Sequence, residues 1–225
     1  VRVTYKVGSA NESPGKTGFA HFFEHMMFQG SKHVKDDQHF KIVNRAGGQM
    51  NGYTNRDYTV YFQTVPSNYL ETVLWLESDR MGFMLDALTE EKFNNQRDVI
   101  KNEKAQNYFN RPYGMTWEIM SENLYPQGHP YSWPTIGYLE DLDRASLSDV
   151  RNFFRNYYVP NNAILTIAGD VQTEDALELV ETYFASIPKG TREGPPMYDE
   201  DTSGETRYVT HEDNVSLHPI NIMYH

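Results

Sequence analysis

Two histidines and one glutamate stand close together in a segment that is otherwise apolar. His21, Glu24 and His25 lie within residues 19–28, whose sequence is FAHFFEHMMF. A spacing of four places both imidazoles on one face of a helix, and Glu24 borders that face. A helix that is apolar nearly all round is normally buried, and burying three such polar groups without partners costs free energy. A divalent metal ion bound by the two neutral imidazoles, with the carboxylate beside it, removes that cost.

The order His-x-x-Glu-His is the reverse of His-Glu-x-x-His, the helical motif of the zincins. In either order the helix presents two metal ligands and one catalytic carboxylate to the same point. A buried histidine satisfied by ordinary hydrogen bonds is more common than a metal ligand, so the five residues alone leave both interpretations open. The apolar setting favours the metal site, because a chance match is more expected on a solvated helix.

A third metal ligand has to come from elsewhere in the chain. A catalytic zinc ion usually has three protein ligands and one open position, and without cysteine the third must be His, Asp or Glu. The long helix predicted from residue 90 offers Glu103, at the end of a stripe with spacings of three, four and three. That stripe consists of Phe93, Gln96, Ile100 and Glu103. The spacing taken alone favours the alternative, a surface glutamate paired with Lys104 or Arg97.

The overall composition is that of an ordinary folded protein. The chain has 225 residues, 39% hydrophobic and 23% charged, enough for one large domain or two small ones. Its net charge of −11 argues against nucleic-acid binding, and suits either cationic peptides or simple solubility. No apolar run approaches the ~18 residues of a membrane span. The absence of cysteine excludes disulfides and thiolate zinc sites, and it fits a periplasmic or secreted location without fixing the compartment.

The elements that carry these residues are predicted to be short strands and helices. Residues 1–7 and 162–169 are typical of strands, and the polar turn before the β-rich run 58–65 predicts a hairpin. Helices are predicted over residues 19–29, 36–45, 66–84, 90–107, 115–124, 146–157 and 173–185. Strands that pair locally, with helices grouped between them, indicate an α+β fold with a mostly antiparallel mixed sheet packed against several helices.

Longer stretches of the sequence resemble the pitrilysin/insulinase family of zinc metallopeptidases. The resemblance is carried by residues 17–30 (TGFAHFFEHMMFQG), 47–61 (GGQMNGYTNRDYTVY), 97–103 (RDVIKNE) and 110–114 (NRPYG). These stretches follow one another in the family's order, and the match covers nearly the whole chain.

The resemblance implies a role for each candidate residue. The zinc ligands are His21, His25 and Glu103, the last on a helix well downstream of the histidine pair. Glu24 is the general base, which takes a proton from the zinc-activated water during hydrolysis of a peptide bond. On this basis the zinc-site interpretation of Glu103 replaces the surface ion pair.

The same resemblance places Asn51 on an edge strand that receives the substrate as an added strand, with Asn51 gripping the peptide backbone. The other interpretation is a tight hairpin turn at Asn51-Gly52, because Asn-Gly is the strongest short signal for such a turn. Many family members carry a second acid two turns before the ligand glutamate. Here that position is the neutral Gln96, a departure from the family's pattern at a position that would support the site.

Full members of the family have two homologous halves, or two subunits, that close around the substrate. This chain resembles the zinc-bearing N-terminal half. We expect residues 1–187 to form the zinc-binding peptidase domain, 188–206 to be a linker, and 207–225 to begin a following, truncated domain with a strand at 207–210. The expected partners are a peptide or unfolded protein substrate and a homologous C-terminal half or partner subunit.

Three functions compete at this point. The first is a zinc endopeptidase, or the catalytic half of one. The second is a non-catalytic or partner-dependent subunit of the same fold, although such subunits usually lose the motif that is intact here. The third is a non-proteolytic metallohydrolase or lyase, and the strand region at 47–61 favours peptide binding over it. We therefore expect a zinc-dependent endopeptidase half that needs its second half for full activity.

Overall fold

In the computed structural model, the described residues are 1–191 and 206–224, and they form eight α-helices and four β-strands. The strands are β1 (Arg2–Tyr5), β2 (Gln49–Thr54), β3 (Thr59–Thr64) and β4 (Ala163–Thr166). The helices are α1 (Phe19–Met26), α2 (Gln38–Arg45), α3 (Leu70–Ala87), α4 (Glu90–Lys104), α5 (Thr116–Leu124), α6 (Leu139–Arg144), α7 (Leu147–Tyr157) and α8 (Thr173–Phe184). None of the helices in these ranges is both long enough and apolar enough to cross a membrane.

The four strands form one sheet in the order β2-β3-β1-β4, and each neighbouring pair is antiparallel. The predicted hairpin is confirmed as β2 and β3, with Asn51 opposite Phe62 in the register. The chain turns at Asn55, whose side-chain oxygen accepts hydrogen bonds from the backbone N–H groups of Asp57 and Tyr58, each at 2.8 Å. The predicted α+β class is confirmed, and β2 lies at one edge of the sheet.

Helix α1 lies in the centre of the core, between the sheet and helices α4 and α7. Its apolar residues are buried, as the all-round apolar sequence predicted, and they are Phe19, Ala20, Phe22, Phe23 and Met26. The ring centroid of Phe23 lies 5.0 Å from that of Tyr158 and 5.8 Å from that of Phe153. The ring centroids of Phe22 and of Phe93 in α4 are 5.2 Å apart. Full burial of one such side chain stabilises the fold by ~1.5–3 kcal/mol, so the aromatic packing fixes α1 firmly.

Helix α4 begins and ends at recognisable signals. The Thr89 hydroxyl accepts a hydrogen bond from the backbone N–H of Lys92 at 3.2 Å, and two glutamates occupy the first turn. The regular helix ends at Lys104, and a single π-helical turn over Ala105–Phe109 follows it. The sequence predicted an α-helix to residue 107, and the last predicted residues belong to this wider turn.

The C-terminal part of the chain departs from one expectation. Most of the predicted linker, residues 192–205, lies outside the described residues. The strand predicted at 207–210 is not formed. These residues have no regular secondary structure and pair with no strand of the sheet. Asp213, a few residues further on, contacts the loop before α5, where its Oδ2 accepts a hydrogen bond from the backbone N–H of Tyr113 at 2.9 Å. The division of the chain at residues 187 and 207 stays a prediction.

Candidate metal centre

The two histidines of α1 point their rings to one side of the helix, as their spacing predicted. The ring centroids of His21 and His25 are 4.8 Å apart. Both side chains are largely covered, with exposed fractions of 13% and 23%. Because the opposite side of α1 is packed into the aromatic core, the imidazoles are the groups that this helix presents at its open face.

Helix α4 brings Glu103 to the same point. Glu103 Oε2 lies 3.7 Å from His21 Nε2 and 3.3 Å from His25 Nε2. One ligand atom from each of these three residues lies within 4.8 Å of the other two. Among residues 1–191 and 206–224, this is the one group of three or more potential ligands so arranged.

The surface ion pair considered for Glu103 is not what the structure shows. Lys104 turns away into the interior, where its Nζ lies 3.0 Å from Glu118 Oε2 and donates to the Gly137 carbonyl at 2.9 Å. Arg97 donates to the Ala145 carbonyl at 2.7 Å. Both cations are therefore engaged elsewhere, and Glu103 faces the histidines.

His21 and Glu103 are in the protonation states that a metal ion needs. Burial lowers the pKa of His21, and the neighbouring His25 lowers it further, so the ring of His21 is neutral at pH 7. The pKa of Glu103 is also lowered, chiefly by its hydrogen bond with His25 and against the opposing effect of partial burial. A neutral imidazole and an ionised carboxylate are the forms that bind metal.

The geometry and the donor set both fit a zinc ion. A tetrahedral zinc ion with bonds of ~2.0–2.2 Å holds its ligand atoms roughly 3.3–3.6 Å apart, close to the distances observed from Glu103. Two imidazole nitrogens and one carboxylate oxygen suit zinc, whereas calcium and magnesium prefer all-oxygen sites. One feature differs from most such sites, since His21 Nδ1 is buried and has no hydrogen-bond partner among the described residues.

Glu24 lies beside this cluster without belonging to it. Its carboxylate is half-buried and interacts with Thr54 at the end of β2. Burial raises the pKa of Glu24, and the Thr54 hydroxyl and the charge of His25 act in the opposite direction. A carboxylate with a raised pKa next to a metal site is a suitable proton acceptor.

The structure places Asn51 in the middle of the edge strand β2, where its side chain is exposed. The hairpin-turn interpretation of Asn51-Gly52 is wrong, because both residues are paired with β3 and the chain turns at Asn55 instead. Asn51 Oδ1 accepts a hydrogen bond from the backbone N–H of Gly52 at 2.8 Å. Gln96 is half-buried on α4, two turns before Glu103.

The sequence did not reveal the buried polar side chains that form hydrogen bonds with the backbone of α1. Glu12 accepts hydrogen bonds at 2.8 Å from the backbone N–H groups of both Gly18 and Ala20. The hydroxyls of Tyr61 and Tyr158 donate to the carbonyls of Phe23 and Ala20, at 3.1 and 3.4 Å. The sequence held one signal for Glu12: helix α1 starts after a glycine, which has no side chain to cap it.

Comparison with known proteins identifies relatives of this arrangement. The family model "Insulinase (Peptidase family M16)" matches residues 1–123, and the model "Peptidase M16 inactive domain" matches residues 144–225. The chain is 35% identical to the zinc protease PqqE of Helicobacter pylori, over all of this chain and 50% of that protein. It is 26% identical to subunit 1 of the mitochondrial cytochrome b-c1 complex of Rattus norvegicus, over 89% of this chain and 40% of that protein.

A solved structure has a similar fold. The crystal structure of a protease from Helicobacter pylori superposes with a TM-score of 0.83 and 35% identity, covering 88% of this chain and 47% of that one. The chain thus spans about half the length of the curated relatives it matches.

Proposed function

The chain belongs to the insulinase family, peptidase family M16, and from this membership we propose that it is the catalytic half of a zinc-dependent endopeptidase. The observation that carries the proposal is the convergence of His21, His25 and Glu103, with the separate carboxylate of Glu24 beside them. The first three residues would hold the zinc ion, and Glu24 would be the general base.

Each residue of the chain has a distinct task in this mechanism. When bound, zinc lowers the pKa of a coordinated water towards ~7 and polarises the peptide carbonyl. Glu24 accepts the proton of the attacking water and passes it to the departing amine nitrogen. General acid–base help of this kind contributes typically about 10²–10⁴-fold in rate. The contact with Thr54 would hold the Glu24 carboxylate in place for this step.

The edge position of β2 supports a peptide substrate. An edge strand presents unpaired N–H and C=O groups, which an extended peptide can pair with as an added strand. The exposed side chain of Asn51 lies on this strand, where it would hold the peptide backbone. Such pairing reads the main chain, so we propose extended peptides or unfolded proteins as substrates. The open edge of this strand also favours a peptidase over a metallohydrolase that acts on small molecules.

The complete enzyme is proposed to need a second half. The family model of an inactive domain matches residues 144–225, and the chain spans half the length of PqqE. A homologous half, in the same chain or in a partner subunit, would close over β2 and supply the cationic and phenolic groups that stabilise the oxyanion, as the family resemblance implies.

A second candidate is a non-catalytic subunit of the same fold. The 26% identity with the rat protein favours it, since that protein is named as a subunit of the cytochrome b-c1 complex and not as a protease. The intact cluster of His21, His25, Glu103 and Glu24 supports catalysis instead.

The experiment that tests the proposal replaces the third ligand. Glu103→Gln removes the anionic oxygen that faces both imidazoles, so we expect a large loss of zinc affinity together with loss of peptide hydrolysis. Zinc content by elemental analysis and cleavage of an unstructured fluorogenic peptide measure the two effects. Glu91→Gln, an exposed change on the same helix, is the control and should behave as the parent. Parent-like zinc affinity in Glu103→Gln would show that the ligand assignment is wrong.

A further inference from the structure

The start of helix α1 has an unusual cap. The first backbone N–H groups of a helix have no partner within the helix and need an acceptor. Gly18 precedes α1 with a φ of +89° and has no side chain to offer. Glu12, six residues earlier, fills this role with both oxygens: Oε2 accepts from Gly18 N and Oε1 from Ala20 N, each at 2.8 Å.

The local packing explains why the cap comes from outside. A Cβ atom at Gly18 would lie 2.8 Å from the Ile136 carbonyl oxygen and 3.1 Å from Gly137 Cα. The positive φ adds strain for any residue with a side chain. A conventional Ser, Thr or Asp cap therefore cannot occupy this position, and the acceptor has to reach it from another segment.

Glu12 is held by a segment that also contacts the hairpin turn. It follows a 3₁₀ turn over Ser9–Asn11, and its own N–H donates to the Ser9 carbonyl at 3.2 Å. The N–H of Ser9 donates to the Asn55 carbonyl at 3.1 Å, and that of Ala10 donates to the Arg56 carbonyl at 2.8 Å. The same short segment thus binds the hairpin turn through its backbone and α1 through the Glu12 side chain.

The two anchored elements carry the two sides of the candidate site. Ala20 directly precedes His21 on α1. Asn55 directly follows Thr54, the residue of β2 that contacts Glu24. Glu12 is 3% exposed, so an amide that lost its acceptor here would be left unpaired in the interior. This one carboxyl group therefore links the start of α1 to the segment that binds the hairpin turn, in addition to the aromatic packing of the helix.

We propose that Glu12 is a positioning residue for the metal centre, which sets the place of the His21–His25 pair relative to strand β2. The inference rests on the proposed zinc-peptidase function. Under this inference a buried loop residue outside the group of metal ligands influences metal affinity and turnover.

The test is Glu12→Gln in the complete protein encoded by the gene. Glutamine has the same length, but its NH₂ group cannot accept a hydrogen bond, so one of the two α1 amides loses its acceptor. We expect zinc to bind about 10–100-fold more weakly, as for other groups that orient metal ligands. With saturating zinc, kcat should fall while KM for an unstructured peptide changes less than twofold. In the metal-free protein, hydrogen exchange should accelerate in residues 18–22.

Asp79→Asn is the matched control. Asp79 is 2% exposed and accepts hydrogen bonds from Ser31 and His33, none of them in α1. The Asp79→Asn variant should have a lower Tm, but its zinc affinity should stay within twofold of that of the parent. If Glu12→Gln does not fold, Glu12→Asp, which keeps the carboxyl group but is one methylene shorter, takes its place with the same expected losses.

Two results would overturn the inference. One is parent-like zinc affinity and hydrogen exchange in the Glu12 variant. The other is an equal loss of zinc affinity in Asp79→Asn, which would attribute the effect to general destabilisation. Failure of the proposed function is distinguishable, because the parent protein itself would then neither bind zinc nor cleave peptide, whereas faster hydrogen exchange in Glu12→Gln alone would still show that Glu12 positions α1.

Discussion

Replacing Glu24 by glutamine separates proton transfer from metal binding. The two side chains have the same size, and glutamine can keep a hydrogen bond with Thr54, so the change removes only the ability to accept a proton. Glu24 is outside the group formed by His21, His25 and Glu103. Zinc affinity should therefore stay within a few-fold of the parent.

The expected size of the effect follows from the surroundings of Glu24. Loss of the general base should lower kcat by about 10²–10⁴-fold, which corresponds to a barrier roughly 2.7–5.4 kcal/mol higher. The free energy of unfolding, in contrast, should stay the same or rise in this variant. Because burial raises the pKa of Glu24, the folded protein disfavours its charge, and a neutral glutamine removes that penalty. The variant should unfold at the same temperature as the parent or at a higher one.

The assay is hydrolysis of an unstructured fluorogenic peptide by the complete protein, at measured zinc occupancy, with Tm recorded in parallel. Glu91→Gln makes the same chemical change at an exposed position; it should leave turnover unchanged and lower Tm only slightly, through its place in the first turn of α4. Turnover within tenfold of the parent in zinc-replete Glu24→Gln would refute the assignment of Glu24 as the base. Loss of zinc from this variant would instead show that Glu24 takes part in metal binding.

One further prediction concerns the proposed second half. The 225-residue chain alone should cleave peptides at least about 10²-fold more slowly than the complete protein, because the groups expected to stabilise the oxyanion are missing; equal rates would contradict the two-half proposal.

The sequence predicted the elements of the site well because each has a strong local signal. The apolar helix around His21 and His25, the Thr89 cap of α4 and the β-rich run of β3 all depend on residues close together in the chain. The assignment of Glu103 needed further information, because its spacing from the apolar residues of α4 could not distinguish a metal ligand from a surface ion pair. The family resemblance selected the first, and the packing of α4 on α1 brings the carboxylate to the imidazoles.

Two features could not be predicted from local sequence, because tertiary contacts decide them. Asn51-Gly52 has the composition of a hairpin turn, yet pairing with β3 keeps both residues extended and moves the turn to Asn55. Glu12 lies in a loop without periodicity, so its partners depend on the path of the chain. Only the close approach of Gly18 to residues 136 and 137 explains why a distant carboxyl group caps α1.

The order of strands in the sheet has a consequence for how the protein folds as it is synthesised. All four residues of the proposed zinc site have been made by residue 103, but β1 lies between β3 and β4. Its second edge stays unpaired until residues 163–166 emerge and pair with it. A nascent or prematurely terminated chain therefore exposes one edge of β1, and such edges template aggregation. Contacts of this long sequence separation slow folding, so the metal ligands exist in the chain well before the sheet that supports them is complete.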